Sequence, residues 1–253
     1  MTGSRADRVR LDRLMVDRGL TATRERARAL ILAGVVTVDG ERVTKAGTAV
    51  DAGAAVTLAA PEHPYVGRGG LKLAWALDQF CIDVAGREAL DIGASTGGFT
   101  DVLLQRGAAR VVALDVGHGQ LDWRLRNDPR VVVLEGRNAR TLERADLPAG
   151  AGVVTIDVSF ISLRMILPRV PPVLADPADV VALVKPQFEA GRREVGRGGL
   201  VKDPAIHARV LGEVAAAAAS CGLARVAMTR SPITGASGNQ EFLLHFQPLR
   251  SGP

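Results

Sequence analysis

The stretch Asp91-Ile92-Gly93-Ala94-Ser95-Thr96-Gly97-Gly98-Phe99 decides how this chain is read. The apolar run Ala89 to Ile92 leads into it as a strand, and a helical pattern leads out from Gly98. Small residues let the backbone turn sharply and approach a ligand, and a helix start offers unpaired N–H groups to it. A dinucleotide fingerprint, G-x-G-x-x-G, needs its second glycine where the pyrophosphate touches backbone, and Ser95 holds that place. NAD is therefore disfavoured. S-adenosylmethionine needs only a tight turn beside its methionine part and a carboxylate on its ribose. Asp115, closing the strand Val111-Val112-Ala113-Leu114, is placed for the second task. Asp91, Gly93, Ser95, Thr96, Gly97, Gly98, Phe99 and Asp115 are thus the candidate cofactor residues, with Asn138 after the third strand as an adenine-side candidate. The alternative, a structural strand-to-helix turn oriented by Asp91, stays open at this point.

With 253 residues and 47% hydrophobic content, the chain can bury one large core and a smaller one without disulfides. Its net charge of +5 favours a polyanionic partner without proving one. Cys81 and Cys221 form no C-x-x-C pair, and His118, His207 and His245 show no ligand spacing, so no metal is expected. Met1 to Arg10 is polar where a signal peptide needs an apolar stretch, and no apolar run approaches the roughly 20 residues of a membrane span. These features point to a soluble cytoplasmic protein, expected to be a monomer.

Residues 1–60 differ from the rest. Leu11, Leu14, Met15 and Leu20 recur at helical spacing with Arg10, Arg13 and Arg18 between them. After Gly19, Thr21 or Thr23 caps a second helix with Ala27, Leu30, Ile31 and Leu32 inward and Arg24, Arg26 and Arg28 outward, stopped by Gly34. Val35 to Val38, Asp39-Gly40 and Glu41 to Val43 predict a hairpin with a primed turn. The two prolines of Ala59-Ala60-Pro61-Glu62-His63-Pro64 suggest a linker, placed at 61–66, before a second domain over 67–253. There, Ala89–Ile92, Arg110–Leu114, Arg130–Leu134, Val153–Ile156 and Val180–Val184 are buried-type apolar runs alternating with helical or polar stretches. This α/β pattern predicts a Rossmann-like parallel sheet with helices on both faces. A helix over Val210–Ser220 and strands over Arg225–Met228 and Glu241–His245 complete it.

In such a sheet ligands bind beyond the carboxyl ends of the strands, so Asp157 and Lys185, each directly after an apolar strand, should share the cofactor's crevice. Glu241 opens the last strand, and Lys72 follows Gly69-Gly70 on a helix. Taken singly, each has a plain structural reading, as cap, ion-pair partner or surface charge.

Two basic helices and a hairpin, from Arg10 to Gly40, resemble the S4 RNA-binding domain. That resemblance implies a small α+β domain gripping structured RNA, with Arg10, Arg13, Arg18, Arg24, Arg26 and Arg28 as contacts; a solvated arginine face is the competing reading, since Asp12, Asp17 and Glu25 are interleaved. Further on, Tyr65 to Leu73, Asp91 to Phe99, Asp157 to Leu163 and Leu183 to Glu189 look like the TlyA (hemolysin A) family, which joins an S4 domain to an FtsJ-like class I methyltransferase domain. The resemblance covers nearly the whole chain. It implies methylation of cytidine 2′-hydroxyls in ribosomal RNA from S-adenosylmethionine, with ribosomal subunits as partners and a Lys-Asp-Lys-Glu tetrad matching Lys72, Asp157, Lys185 and Glu241. Arg68, in the first stretch, joins the RNA contacts. Gly67 departs from the pattern, since relatives often carry serine there.

A ribose hydroxyl is a poor nucleophile, and in-line attack on a sulfonium methyl makes positioning a large part of the rate. A base must also take its proton. Lysine serves only as the neutral amine, a form favoured beside a second cation such as Lys72 and opposed by Asp157, so Lys185 is expected as the base with Lys72, Asp157 and Glu241 orienting it, Asp157 also contacting the cofactor. Gly191 to Gly199, with Arg192, Arg193 and Arg197, reads either as a basic lid over RNA or as a plain loop. The competing functions are a non-catalytic ribosome-assembly factor and a membrane-lytic hemolysin. The intact tetrad argues against the first, and the absence of a spanning or lytic amphipathic segment against the second. The chain's close soon after Phe246-Gln247-Pro248 favours large-subunit RNA as target, with the small subunit as a further candidate.

Overall fold

A computed structural model describes residues 8–21, 23–32, 34–58 and 63–249. The chain forms two compact units, Met1–Pro64 and Tyr65–Pro253. Residues 59–62, which include the first two residues of the expected linker, lie outside the described residues.

In the first unit, β1 (Arg8–Arg10) runs into α1 (Leu11–Asp17), followed by α2 (Arg24–Leu32), β2 (Val36–Val38), β3 (Glu41–Arg42), β4 (Ala49–Asp51) and β5 (Val56–Leu58). A seven-residue helix is marginal alone, so α1 depends on its packed stripe. Leu11, Leu14 and Met15 meet Ala27 and Ile31 of α2 and Val36, Val50 and Val56 of the strands in one core. Thr23 Oγ1 accepts the Arg26 N–H at 3.2 Å and so supplies the cap of α2. The hairpin is as expected: Val38 faces Glu41 across Asp39 and Gly40, whose φ of 50° and 85° are those of a primed turn. Not anticipated were the pairing of β1 with β4 and of β5 with β2, three-residue strands that local pattern does not announce.

The second unit comprises α3 (Gly69–Phe80), β6 (Glu88–Ile92), α4 (Gly98–Gln105), β7 (Arg110–Asp115), α5 (Trp123–Arg126), β8 (Val131–Glu135), β9 (Ala151–Ile156), β10 (Leu174–Val184), α6 (Pro186–Glu189), α7 (Pro204–Ser220), β11 (Leu223–Arg230) and β12 (Phe242–Pro248). The sheet order is β11-β12-β10-β9-β6-β7-β8. All neighbours from β10 to β8 are parallel, and β12 inserts antiparallel between β10 and β11. Successive residues point to opposite faces, so each strand feeds two cores. Leu90, Ile92, Val112, Leu114, Val154 and Ile156 pack with α7, whereas Ala89, Val111, Ala113, Val153 and Leu183 pack with α3 and α4. The α/β reading with helices on both faces therefore holds.

The β9–β10 connection has no α-helix but three 3₁₀ turns, at Leu163–Met165, Leu167–Arg169 and Pro171–Val173. Pro168, Pro171 and Pro172 lack the amide donors a continuous helix would need. Asp179 in β10 accepts hydrogen bonds from His245 (2.8 Å), Gln247 (2.9 Å) and Arg87 (2.8 Å), tying β12 and the start of β6 to β10. Burial raises the Asp179 carboxyl, but those donors outweigh it and hold it below the usual carboxylate range.

Candidate active site

The carboxyl ends of the parallel strands supply the site. Gly93 leaves β6 at φ 87°, and a Cβ there would strike the carbonyl of Asp157, so the turn can press against the end of β9 only without a side chain. Gly97, at φ 99°, is hemmed in likewise by Leu125 and Leu121. Ser95 also takes a left-handed φ, 47°, which is costly for a non-glycine residue and is held by the Asp115 carboxylate. That carboxylate accepts the N–H of Ser95 at 2.8 Å and of Gly117 at 2.7 Å, one on each oxygen. Each oxygen keeps a lone pair for a ribose hydroxyl. Ser95 stands where a pyrophosphate-binding turn needs glycine, while the Asp115 carboxylate offers acceptors to a ribose. These residues therefore fit S-adenosylmethionine.

Not every expected cofactor residue faces this cleft. The Asp91 side chain is fully buried; its oxygens accept the hydroxyls of Thr100 (2.7 Å) and Thr155 (2.9 Å), the latter its cross-strand neighbour on β9. It fixes the loop from below, because a carboxyl inside the sheet must find donors there. Phe99 is 3% exposed and packs in the core, so only its backbone can approach a ligand. Asn138 caps a 3₁₀ turn by accepting the Arg140 N–H at 3.0 Å, which is a structural task. Ser95 and Thr96 are exposed at the mouth of the turn.

The four charged residues converge through strand register. Asp157 is the first residue past β9 and Lys185 the first past β10, while Glu241 immediately precedes β12, whose Phe242 lies opposite Val184. Parallel and antiparallel strands thus present their ends at one edge of the sheet. Lys185 Nζ donates to Ser159 Oγ at 2.9 Å and lies 2.6 Å from Asp157 Oδ1, an ion pair whose approach angle is not that of a hydrogen bond. Lys72 Nζ donates to Glu241 Oε2 at 2.5 Å, with 11% and 3% of the two side chains exposed. Gly69, one turn before Lys72 on α3, is within reach of both Asp157 and Phe99, so the start of this helix abuts the other pair.

Sequence reasoning gave no role to several residues around this centre. Ser159 accepts from Lys185. Phe160 is 92% exposed at φ 63°, with its ring 5.0 Å from Phe188, while Lys185 stands 6.0 Å from the Phe188 centroid. A large aromatic in left-handed backbone and open to solvent is uncommon on both counts. Glu189, 5% exposed, accepts the Ser162 hydroxyl at 2.5 Å and the Leu163 N–H at 2.7 Å, joining the β9 loop to α6. Burial raises its carboxyl above the ordinary value while those two donors oppose the rise. The only signal for Ser159, Phe160 and Glu189 was their place inside the stretches that carried the family resemblance.

In the first unit, the arginines expected to grip RNA divide by task. Arg10 makes two 3.0 Å bonds to the fully buried Asp12 carboxylate, Arg24 adds one at 3.0 Å, and Arg28 stands 3.7 Å away. The hydrogen bonds from Arg10 lead in holding that carboxyl well below the usual carboxylate range. Asp12, read in sequence as an interleaved surface acid, is instead the hub that fixes these guanidiniums with half of each exposed. Arg18 is turned to the carbonyls of Ala54 (2.6 Å) and Ala52 (2.5 Å), so it staples the loop after β4. Arg13 pairs loosely with Asp17 at 3.6 Å, Arg26 is half-buried and Arg68 is exposed.

Among the described residues, no group of His, Cys, Asp or Glu could hold a metal ion, and no helix is long and apolar enough to cross a membrane. Residues 9–56 match the S4 domain and residues 65–248 the FtsJ-like methyltransferase family. The 16S/23S rRNA (cytidine-2′-O)-methyltransferase TlyA of Mycobacterium tuberculosis is 50% identical over 94% of this chain and 90% of its own length. Hemolysin A of Brachyspira hyodysenteriae is 42% identical over 94% of this chain and 99% of its own. A solved hemolysin-type structure from Streptococcus thermophilus superposes with TM-score 0.75 at 46% identity, covering 97% of this chain and 90% of that one. An S-adenosylmethionine-dependent methyltransferase from Mesorhizobium loti, 15% identical with TM-score 0.55 over 72% of this chain and 100% of that one, shares the fold. By domain content and by relatedness across nearly its full length, this chain belongs to the TlyA (hemolysin A) family, in which an S4 domain precedes an FtsJ-like methyltransferase domain.

Proposed function

We propose that this chain transfers a methyl group from S-adenosylmethionine to a cytidine 2′-hydroxyl of ribosomal RNA in the cytoplasm. The observation that carries this reading is the pairing of Lys72 with Glu241 and of Lys185 with Asp157 at the strand ends beside the Gly93–Gly98 turn. The reading is supported by a relative named 16S/23S rRNA (cytidine-2′-O)-methyltransferase, half identical over nearly the whole chain.

When bound, S-adenosylmethionine supplies an electrophilic methyl on sulfur. Asp115 takes the ribose diol of that cofactor, and the Gly93–Gly98 turn admits its methionine end. Lys185 Nζ accepts the proton of the attacking ribose hydroxyl. Lysine does so only as the free amine, so the contact with Asp157, which favours the ammonium, has to loosen as the nucleotide enters. Ser159 then keeps the amine aimed. Glu241 fixes Lys72, whose charge stands ready for the hydroxyl oxygen as it becomes anionic. The exposed Phe160 ring offers a flat face to a base held out of its stack. The Asp12-centred arginines hold the phosphate backbone of folded RNA.

Single-turnover methylation with Lys185→Ala tests the base. The rate should fall by roughly 10²–10⁴-fold with cofactor and RNA still bound. A near-normal rate would remove Lys185 from that role. Mapping 2′-O-methyl sites in both ribosomal RNAs with and without the protein tests the reaction and shows which subunit is modified, and a map with no lost site overturns it.

A further inference from the structure

The reaction leaves unused one charged segment of the second unit, residues 191–202 between α6 and α7. Arg192, Arg193, Arg197 and Lys202 are all exposed there, and none of them has a carboxylate partner among the described residues. Elsewhere in the unit arginines are mostly neutralised: Arg87, Arg106, Arg126, Arg130, Arg137 and Arg209 each meet an acid. The one acid of the loop, Glu194, turns inward. It accepts the Gly191 N–H at 2.8 Å and pairs with Arg209 of α7 at 2.5 Å, so it does not offset the outward charges.

The base of the loop is built firmly. Asn239, 1% exposed, accepts the Val201 N–H at 2.9 Å and donates to the Gly199 carbonyl at 2.8 Å, using both ends of its amide. Gly198 and Gly199 turn the chain at φ 73° and 76°, and the Gly196 N–H closes the turn on the Leu200 carbonyl at 2.8 Å. Both ends are tied to the active site. Lys185 leads through α6 into Gly191, and Asn239 lies two residues before Glu241. The loop therefore carries exposed cationic side chains on a fixed base whose two ends run into residues of the cleft.

We propose that residues 191–202 form a phosphate clamp, Arg192, Arg193 and Arg197 gripping the RNA backbone that flanks the nucleotide held at Lys185. The proposal rests on the methyl-transfer reading of that site. Guanidinium forks match phosphodiester oxygens, and the loop exposes no large apolar side chain that would suit a protein partner instead.

The test is binding of the full chain to a 23S rRNA transcript across a salt series, comparing wild type with Arg192→Gln/Arg193→Gln/Arg197→Gln. Three lost phosphate contacts should make the slope of log K against log salt shallower by about 2–3. Cofactor affinity and thermal midpoint should not move. A control variant, Arg169→Gln/Arg225→Gln/Arg230→Gln, removes three equally exposed charges and should leave the slope near wild type. An unchanged slope in the loop variant, or an equal change in the control, overturns the clamp. A wild type that methylates RNA while the loop variant's slope stays put defeats the clamp alone. A loop-dependent slope without any methyl transfer defeats the proposed reaction alone.

Discussion

Replacing Asp91 by Asn should stabilise the methyltransferase unit increasingly as pH rises. Burial pushes the Asp91 carboxyl up to about 7; hydrogen bonds from Thr100 and Thr155 oppose the rise, and the nearby Asp157 charge adds to it. In the unfolded chain the same group titrates at about 3.9. The folded state thus binds its proton more tightly. Asp91's contribution to stability is complete below about pH 4 and is lost as pH climbs through about 7. A shift of roughly three units corresponds to about 4 kcal/mol in all, of which about 3 kcal/mol falls between pH 5 and 8. Asparagine has the same shape, can accept one threonine hydroxyl and donate to the other, and never ionises. Urea unfolding followed by tryptophan fluorescence reports this unit directly, since both tryptophans, Trp75 and Trp123, lie in it. The variant should gain about 3 kcal/mol on wild type between pH 5 and 8. Asp12 and Asp179 titrate alike in both proteins and cancel. A difference that stays flat across this range would refute the reasoning. Cofactor affinity should change less than about threefold, because the carboxyl does not face the cleft; loss of binding without the pH effect would make Asp91 a ligand after all.

Three further outcomes follow from particular contacts. Asp12→Asn leaves three guanidiniums without their hub and should cost roughly 2 kcal/mol near neutral pH in a thermal or urea melt of the first unit. Because that carboxyl sits well below its ordinary value, the cost should hold above about pH 4, shrink steadily as pH falls below it, and be gone only once the folded-state carboxyl itself is protonated; a cost that does not shrink in acid would contradict the ion-pair account. Glu189→Gln keeps an acceptor for the Leu163 N–H whereas Glu189→Ala removes it, so single-turnover rates should fall in the order wild type, Gln, Ala with cofactor KM nearly constant. Equal rates in all three variants would show that the β9 loop needs no tie to α6. Gly93→Ala places a Cβ against the Asp157 carbonyl in left-handed backbone, so it should lower stability by more than about 2 kcal/mol and abolish cofactor binding in calorimetry. Wild-type affinity there would mean the turn is not where the cofactor sits.

Much of the architecture could be read along the chain, since its determinants are local. Five buried-type runs became the five parallel strands, Asp39-Gly40 became the hairpin turn, and the alanine-rich segment became the second half of α7. The three prolines between Ile166 and Val173 were equally visible, and they accompany the 3₁₀ turns that join β9 to β10 in place of an α-helix. The failures have a common form. Asp12 stands among arginines and looks like a surface acid until Leu11, Leu14 and Met15 turn its helix inward. Arg18 finds its carbonyl partners at Ala52 and Ala54, in the loop after β4.

The sequence by itself determined which residues line up at strand ends, because alternation and chain order require only neighbours. It also named Lys72, Asp157, Lys185 and Glu241 through resemblance. Only the tertiary structure decided which of them pair, since Lys72 and Glu241 are 169 residues apart and meet through the antiparallel insertion of β12. Asp91 is the sharpest instance: the sequence placed it at the cofactor loop, and the sheet turned its carboxyl into a dry interior where two threonine hydroxyls are its partners. Which way a side chain faces depends on the strands laid beside it, and those come from distant parts of the chain.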